Sequence, residues 1–206
     1  ILSNFALIIT PVNKVNEIKK LVIRIVNIEE FYTILTLNDI SPVEASGAPV
    51  FNNNPYLRLN GRGVLVGVID TGIDYLNKEF QMEDDTTRIV RLWDQTIQGD
   101  TNIYGLKYGT EYTEEQINQA ISLQTSGGDP YSIVPSKDEI GHGTKVSGII
   151  GGRGINPDLK GAAPDCKFVI VKLTRATKAE LDASLIDKTD VPSYSPWSVL
   201  LGIRYV

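Results

Sequence analysis

The sequence predicts an α/β fold organised around a parallel β-sheet. Residues 64–69 and 167–173 form nearly continuous apolar runs, which are typical of strands covered on both faces. Between them, residues 113–121 and 142–150 carry the sequence signals of helices. Strands that alternate with helices in this way form parallel sheets with right-handed connections.

The first 40 residues predict a small α+β unit ahead of this sheet. Strands are expected over residues 5–10, 23–28 and 31–37. Thr10-Pro11 is a helix-start signal, because the threonine can cap the helix and the proline needs no N–H donor. The helix itself is indicated by apolar residues at three-residue spacing, namely Val12, Val15, Ile18 and Leu21. Such a unit is too small to be a comfortable independent domain and is expected to dock against something larger.

Local signals define the next elements. Residues 41–60 contain three prolines and an asparagine run, and they predict a mostly irregular connector. Residues 88–93 alternate charged and apolar side chains, as in a half-buried strand. Thr113 and Gln116 have the spacing of a capping box at the start of a helix.

Two further helices are expected towards the end of the chain. Gly151-Gly152 is a stop signal for the helix over 142–150. That helix is predicted to turn three apolar side chains inward, namely Val146, Ile149 and Ile150. The last helix opens at Pro196, with Ser195 as its cap. Packing roles are predicted for Trp93, Cys166 and Trp197.

Composition excludes several classes of function. The 206 residues carry a net charge of −5 and no block of Lys or Arg, which argues against a nucleic-acid partner. No stretch of about 18 apolar residues is present to cross a membrane, and no signal peptide is seen at Ile1. A single cysteine, Cys166, cannot form an internal disulfide.

Two residues are candidates for catalysis. Asp70 ends the apolar run at 64–69, where the carboxyl ends of parallel strands gather reactive groups. His142, the only histidine, begins a predicted helix, and Gly141 and Gly143 beside it permit a close approach to a carboxylate. In this interpretation Asp70 orients the imidazole, and His142 takes a proton from a serine and returns it to the leaving amine.

Two alternatives compete with this interpretation. An aspartate after a strand is usually a turn residue, and a lone histidine is more often structural; the flanking glycines and threonines favour a catalytic pair. Asp70-Thr71-Gly72 is also the signature of aspartic proteases, in which two carboxylates share a proton. The signature occurs once, so that alternative requires a symmetric homodimer, and it leaves the helix at His142 unexplained.

The motifs around both residues resemble a known family. Val68-Ile69-Asp70-Thr71-Gly72 and His142-Gly143-Thr144 resemble the Asp and His signatures of the subtilisin-like serine proteases, or subtilases. The segment 161–165 is similar to the one that follows the His helix in that family. Between the two motifs, the segments at 92–96, 108–112 and 133–136 resemble the insertion of clostridial Csp-type germination proteases.

This resemblance implies a fold and a domain organisation. Residues 61–206 would be the first half of a subtilisin-like doubly wound parallel sheet. Residues 1–40 would be a propeptide-like unit that assists folding and inhibits the enzyme, and residues 41–60 the connector. The family's nucleophile motif, oxyanion-hole Asn and substrate-binding strand are absent from the sequence, so the chain is expected to be an incomplete and inactive part of a protease.

The resemblance also implies a function, the hydrolysis of peptide bonds by an Asp-His-Ser triad. The serine would lie outside this chain, because none of its serines stands in the nucleophile setting; the ones considered are Ser147, Ser184, Ser193, Ser195 and Ser198. Lys145 replaces a second histidine that many subtilases have, at a position that carries no proton in the mechanism. The alternative is an inactive pseudoprotease that acts as a binding or signalling module.

The expected partners are a protein or peptide substrate and the chain's own propeptide, with no organic or redox cofactor. Many subtilases bind calcium, and Glu83-Asp84-Asp85 is a candidate for such a site. A hard cation needs more oxygen ligands than this run shows, so we interpret it as a solvated loop. The Csp resemblance implies a spore-associated or extracellular location and, as substrate, a pro-enzyme of spore cortex lysis; a general protein-degrading role is the alternative.

Overall fold

In the computed structural model the chain divides into two compact units, Ile1–Asn38 and Asp39–Val206. The described residues are 14, 17, 42–57, 59–99, 101–103, 106–178, 181 and 192–206. Apart from residues 14 and 17, the strands and helix predicted over the first 40 residues lie outside this set. The propeptide-like unit and the division into 1–40, 41–60 and 61–206 therefore stay predictions.

The second unit contains helices and strands in alternation. The helices are α1 Pro42–Ala45, α2 Ala48–Asn52, α3 Glu114–Thr125, α4 His142–Gly151 and α5 Pro196–Tyr205. The strands are β1 Leu65–Asp70, β2 Ile89–Asp94, β3 Asn102–Ile103, β4 Leu106–Lys107, β5 Thr110–Thr113 and β6 Lys167–Lys172. Short 3-10 helices occur at Lys78–Phe80, Pro130–Ser132 and Pro157–Leu159. The predicted connector at 41–60 is more regular than expected, because it contains α1 and α2.

The main sheet has the strand order β1-β6-β2-β5. Strand β6 pairs in parallel with both β1 and β2, and only β5 is antiparallel. The register aligns Asp70, Lys172 and Asp94, so three neighbouring strands end side by side with polar residues. The short, polar strand β5 was not predicted. The predicted α/β fold with a parallel sheet is confirmed.

Helices cover both faces of this sheet. Side chains of α3 and α4 join β1, β2 and β6 in one buried cluster that includes Val68, Leu92, Ile117, Phe168 and Ile170. On the opposite face, Trp93 and Val171 pack against Leu201 of α5. The arrangement is doubly wound, as predicted. Coverage on both faces holds for β6 but not for the start of β1, where Leu65 is 56% exposed.

The helix ends follow the sequence signals closely. Thr113 and Gln116 form both hydrogen bonds of the capping box at α3. Ser195 caps α5 by accepting a hydrogen bond from the backbone N–H of Trp197. Trp197 itself is exposed, so the prediction that it packs is wrong, whereas Trp93 and Cys166 are buried as predicted.

The buried face of α4 differs from the prediction. It consists of Gly143, Ser147 and Gly151, which repeat every four residues. Val146 and Ile150 pack against the core as expected. Ile149 was predicted to point inward but is exposed, because it lies on the opposite side of the helix from Ser147. Small residues on the buried face allow the helix to approach the sheet closely.

The described residues include no helix with the length and apolar character that a membrane crossing requires.

Candidate active site

Strand β1 carries Asp70 to the edge of the sheet where the parallel strands end. The chain turns immediately after it, through Thr71 and Gly72, whose φ is +115°. The backbone N–H of Thr71 donates a hydrogen bond to Asp70 Oδ1 over 2.7 Å. The Asp70 side chain is only 17% exposed, so this turn holds the carboxylate in one orientation.

Helix α4 begins at His142 and points this residue at β1. Gly141 precedes it with a φ of +80°, a left-handed conformation that glycine adopts without strain. In the first turn, the buried N–H of Gly143 donates to Thr71 Oγ1 over 2.8 Å. The residue after Asp70 is thus bonded directly to the residue after His142.

The two sequence-predicted site residues are in hydrogen-bond contact. His142 Nδ1 lies 2.8 Å from Asp70 Oδ1 and 3.0 Å from Oδ2. Since a carboxylate can only accept, we assign the proton of the neutral imidazole to Nδ1, which leaves a lone pair on Nε2. The His142 side chain is 65% exposed. Of the described residues only Asp70 hydrogen-bonds the ring, and it does so through Nδ1.

Asp138 joins the elements that carry this pair. One of its oxygens accepts from Thr71 Oγ1 and from the N–H of Gly141, and the other accepts from the N–H and hydroxyl of Thr144. Burial raises the pKa of Asp138, but hydrogen bonds from Thr144 and Thr71 outweigh it and hold the pKa below its ordinary value. The carboxylate is therefore ionised at neutral pH.

The family model described as the subtilase family matches residues 61–190, which is more than half of the chain. The chain belongs to the subtilase family. The match spans the strand that ends in Asp70 and the helix that begins at His142. Membership of this family excludes the aspartic-protease alternative, in which Asp70 would share a proton with a second carboxylate. The Asp70 carboxylate is instead hydrogen-bonded to an imidazole.

Two relatives illustrate the similarity. A PII-type proteinase of Lacticaseibacillus paracasei is 31% identical over 140 residues, which is 66% of this chain and 7% of that protein. Among solved structures, the CspB protease of Clostridium perfringens aligns with a TM-score of 0.59 and 30% identity. That alignment covers 79% of this chain and 30% of the CspB chain. The resemblance inferred from the motifs is confirmed, and this subtilase chain spans less than a third of either relative.

A buried lysine lies beside Asp70 on the neighbouring strand of this subtilase. Lys172 is the register partner of Asp70 on β6 and is only 7% exposed. Its ammonium donates to the carbonyl oxygen of Lys137 over 2.6 Å and to Glu139 over 2.9 Å, and lies 3.7 Å from Asp94. These contacts attach the segment before α4 to the ends of β2 and β6.

Sequence reasoning missed both Asp138 and Lys172. Asp138 carried a signal, because aspartate is favoured just before a helix, where it accepts backbone N–H groups. Lys172 carried none, since a single sequence does not show that a lysine ending a strand meets two carboxylates from distant segments.

The serines considered from the sequence have the structural roles expected of them where they are described. Ser147 is fully buried within α4, and Ser198 is buried in α5. Ser195 is the cap of α5. Ser184 lies outside the described residues. Lys145, at the position of the family's second histidine, is exposed on α4.

The acidic run at 83–85 makes local contacts. Asp84 accepts from the N–H and hydroxyl of Thr86, which lowers its pKa. Asp85 pairs with Lys78 over 2.7 Å. Within the described part of the chain, no three His, Cys, Asp or Glu side chains are grouped so that they could hold a metal ion. Calcium binding elsewhere in the protein stays a separate question for experiment.

Proposed function

We propose that this chain supplies the aspartate and the histidine of a subtilisin-type serine endopeptidase. The observation that carries the proposal is the 2.8 Å contact between Asp70 and His142 Nδ1, together with the exposure of the opposite side of the ring. Membership of the subtilase family supports it. The nucleophilic serine would come from outside these 206 residues and approach the imidazole from its open side.

In the proposed reaction His142 Nε2 accepts the proton of the serine hydroxyl while the serine oxygen attacks the peptide carbonyl carbon. Asp70 keeps the ring in the required tautomer and stabilises the imidazolium, without taking the proton itself. The C–N bond then breaks as the imidazolium returns the proton to the leaving amine, which leaves an acyl-enzyme. Water attacks this ester by the same route in reverse and restores the serine.

The substrate class is proteins or peptides, and the chain's own first 40 residues are proposed to act as a propeptide that assists folding and inhibits the enzyme. A role in spore germination stays a prediction from the Csp resemblance. No organic or redox cofactor is needed, since proton transfer and acyl transfer account for every step.

A fluorophosphonate probe tests the proposal, because it reacts readily with a serine whose hydroxyl is activated as a nucleophile. In the full-length protein we expect labelling of one serine. In His142→Ala and Asp70→Asn the labelling rate should fall by about 10⁴-fold or more. Lys145→Gln is the matched control, because it changes an exposed residue of the same helix; its labelling rate should equal that of the wild type.

A folded full-length protein that takes up no probe would contradict the proposal. It would instead favour the inactive pseudoprotease, a binding module that keeps the fold without turnover.

A further inference from the structure

Asp138 accepts four hydrogen bonds from the segments that carry Asp70 and His142. We propose that it is a positioning residue that holds the helix of His142 against the strand of Asp70 by fixing two threonine hydroxyl groups. The effect of Asp138 on turnover rests on the function proposed above. The effect of Asp138 on the Asp70–His142 hydrogen bond rests on geometry alone.

The carboxylate of Asp138 bridges both sides of the catalytic pair. On the strand side, Oδ1 accepts from Thr71 Oγ1 over 2.7 Å. On the helix side, it accepts from the N–H of Gly141 over 2.8 Å, and Oδ2 accepts from the N–H and the hydroxyl of Thr144 over 2.9 and 2.6 Å. One side chain therefore contacts the residue after Asp70 and residues on either side of His142.

Each threonine hydroxyl also accepts a backbone N–H from the opposite element. Thr71 Oγ1, next to β1, accepts from Gly143 of α4 over 2.8 Å. Thr144 Oγ1, on α4, accepts from Asp74 in the segment after β1 over 2.9 Å. We call these two hydrogen bonds the cross-links. Strand and helix segment each supply one hydroxyl and one N–H to them.

Asp138 determines the direction of both cross-links. A hydroxyl has a single hydrogen, and both hydroxyl hydrogens point at this carboxylate. Their lone pairs are thereby turned towards Gly143 and Asp74. Without the carboxylate either hydroxyl can rotate, which would leave the buried N–H of Gly143 without its acceptor.

The charge of Asp138 suits this position. It lies at the N-terminal end of the ten-residue helix α4, where exposed N–H groups favour an anion. Asparagine is nearly the same size but offers only one accepting oxygen. Asp138→Asn therefore removes the acceptor for one hydroxyl while keeping the volume of the side chain.

A residue that merely caps the helix would affect stability alone, so the experiment needs readouts of the catalytic pair. In the full-length protein we would measure the downfield Nδ1 proton resonance of His142, assigned by its loss in His142→Gln. The second readout is kcat and KM on a peptide substrate. Glu79→Gln is the matched control, because Glu79 also accepts backbone N–H groups, from Gly154 and Asn156 beyond the far end of α4.

In Asp138→Asn we expect the Nδ1 resonance to broaden or move upfield. We expect kcat to fall roughly 10- to 100-fold, as for a sub-ångström to ångström displacement of a catalytic group, while KM changes less than about twofold. Glu79→Gln should keep the resonance and kcat even where it lowers stability. A folded Asp138→Asn protein with the wild-type resonance and kcat would overturn the proposal.

Thr71 provides a second test in case Asp138→Asn does not fold. Thr71→Ser keeps the hydroxyl and should retain the resonance, whereas Thr71→Val removes it at nearly constant volume and should lose the resonance. Equal resonances in the two variants would overturn the proposal. If the wild type shows the resonance but neither cleaves peptide nor takes up a fluorophosphonate, the proposed protease function fails, and the resonance alone decides the role of Asp138.

Discussion

Gly143 lies directly against the carbonyl oxygen of Gly72. A Cβ atom on Gly143 would stand 2.1 Å from that oxygen and 3.1 Å from the Cβ of Asp70. The first distance is far below van der Waals contact, so any side chain at this position would push α4 away from β1. The absence of a side chain on Gly143 therefore allows the 2.8 Å contact between Asp70 and His142.

Gly143→Ala should separate the helix from the strand. We expect the free energy of unfolding to fall by roughly 1–3 kcal/mol, as for an overpacked core position, and fluorophosphonate labelling to be lost. Gly148→Ala is the control on the same helix, because a Cβ there meets no atom within 4 Å. It should raise the free energy of unfolding by roughly 0.5–1 kcal/mol. Urea unfolding of both variants would show opposite signs; a shared sign would refute the steric argument.

Arg88 connects three segments through four of their carbonyl oxygens. Its guanidinium donates to Pro164 and Cys166 over 2.7 and 2.9 Å, and to Glu79 and Gly151. Arg88→Met would remove the guanidinium donor from all four carbonyl oxygens, of which that of Glu79 keeps the N–H of Arg153, and we expect a loss of about 3 kcal/mol or more in the free energy of unfolding. Arg91→Met on the adjoining strand β2 removes a half-exposed ion pair with Glu111 and should lose less than about 1 kcal/mol. Similar losses from the two variants in urea unfolding would contradict this assignment.

The pH dependence of stability should report the lowered pKa of Asp138. A carboxyl group whose pKa is lower in the folded than in the unfolded state stabilises the fold above its unfolded pKa of about 3.9. This contribution is lost as the pH falls through the folded pKa. The difference in free energy of unfolding between wild type and Asp138→Asn should thus be constant from about pH 7 to pH 5 and shrink below about pH 4. A difference that stays constant in urea titrations down to pH 3 would mean that the carboxylate is not stabilised by folding.

Cys166 should be inert in the native protein. It is fully buried, and burial raises the pKa of its thiol, so the reactive thiolate is suppressed. At pH 8 we expect no alkylation of the Cys166 peptide by iodoacetamide until urea unfolds the protein, as followed by mass spectrometry. Because the unfolded thiol ionises first, its contribution to stability should decline as the pH rises above about 8.5. Alkylation without urea would show that the contact between Cys166 and the end of α4 opens readily.

The features that the sequence predicted correctly are those whose signals are local. Strand β6 is an apolar run, α3 begins with a capping box, and α4 ends at a glycine pair. Small residues after Asp70 and after His142 predicted a close approach of the two, and their side chains are 2.8 Å apart; their catalytic role stays a prediction. Each of these signals is contained in fewer than about ten consecutive residues, the length of a single helix or strand.

The features that the sequence missed depend on distant segments. Asp138 contacts Thr71 across 67 residues. The sequence predicts Arg88 as part of a half-buried strand, because a charged residue is normally exposed. Nothing in the chain shows that four carbonyls converge on its guanidinium. Ile149 was placed inward by its apolar character, whereas close packing of α4 requires Gly143, Ser147 and Gly151 on that face.

The strand order has a consequence for synthesis. Strand β6 lies between β1 and β2 although it follows both in the chain, so neither of the earlier strands has its parallel neighbour until residue 172 has left the ribosome. Pairing between such distant segments is intrinsically slow. The nascent chain therefore carries Asp70 and His142 through the exit tunnel well before the sheet that aligns them exists, and it acquires the hydrogen bond between these two residues only after translation of this region is complete.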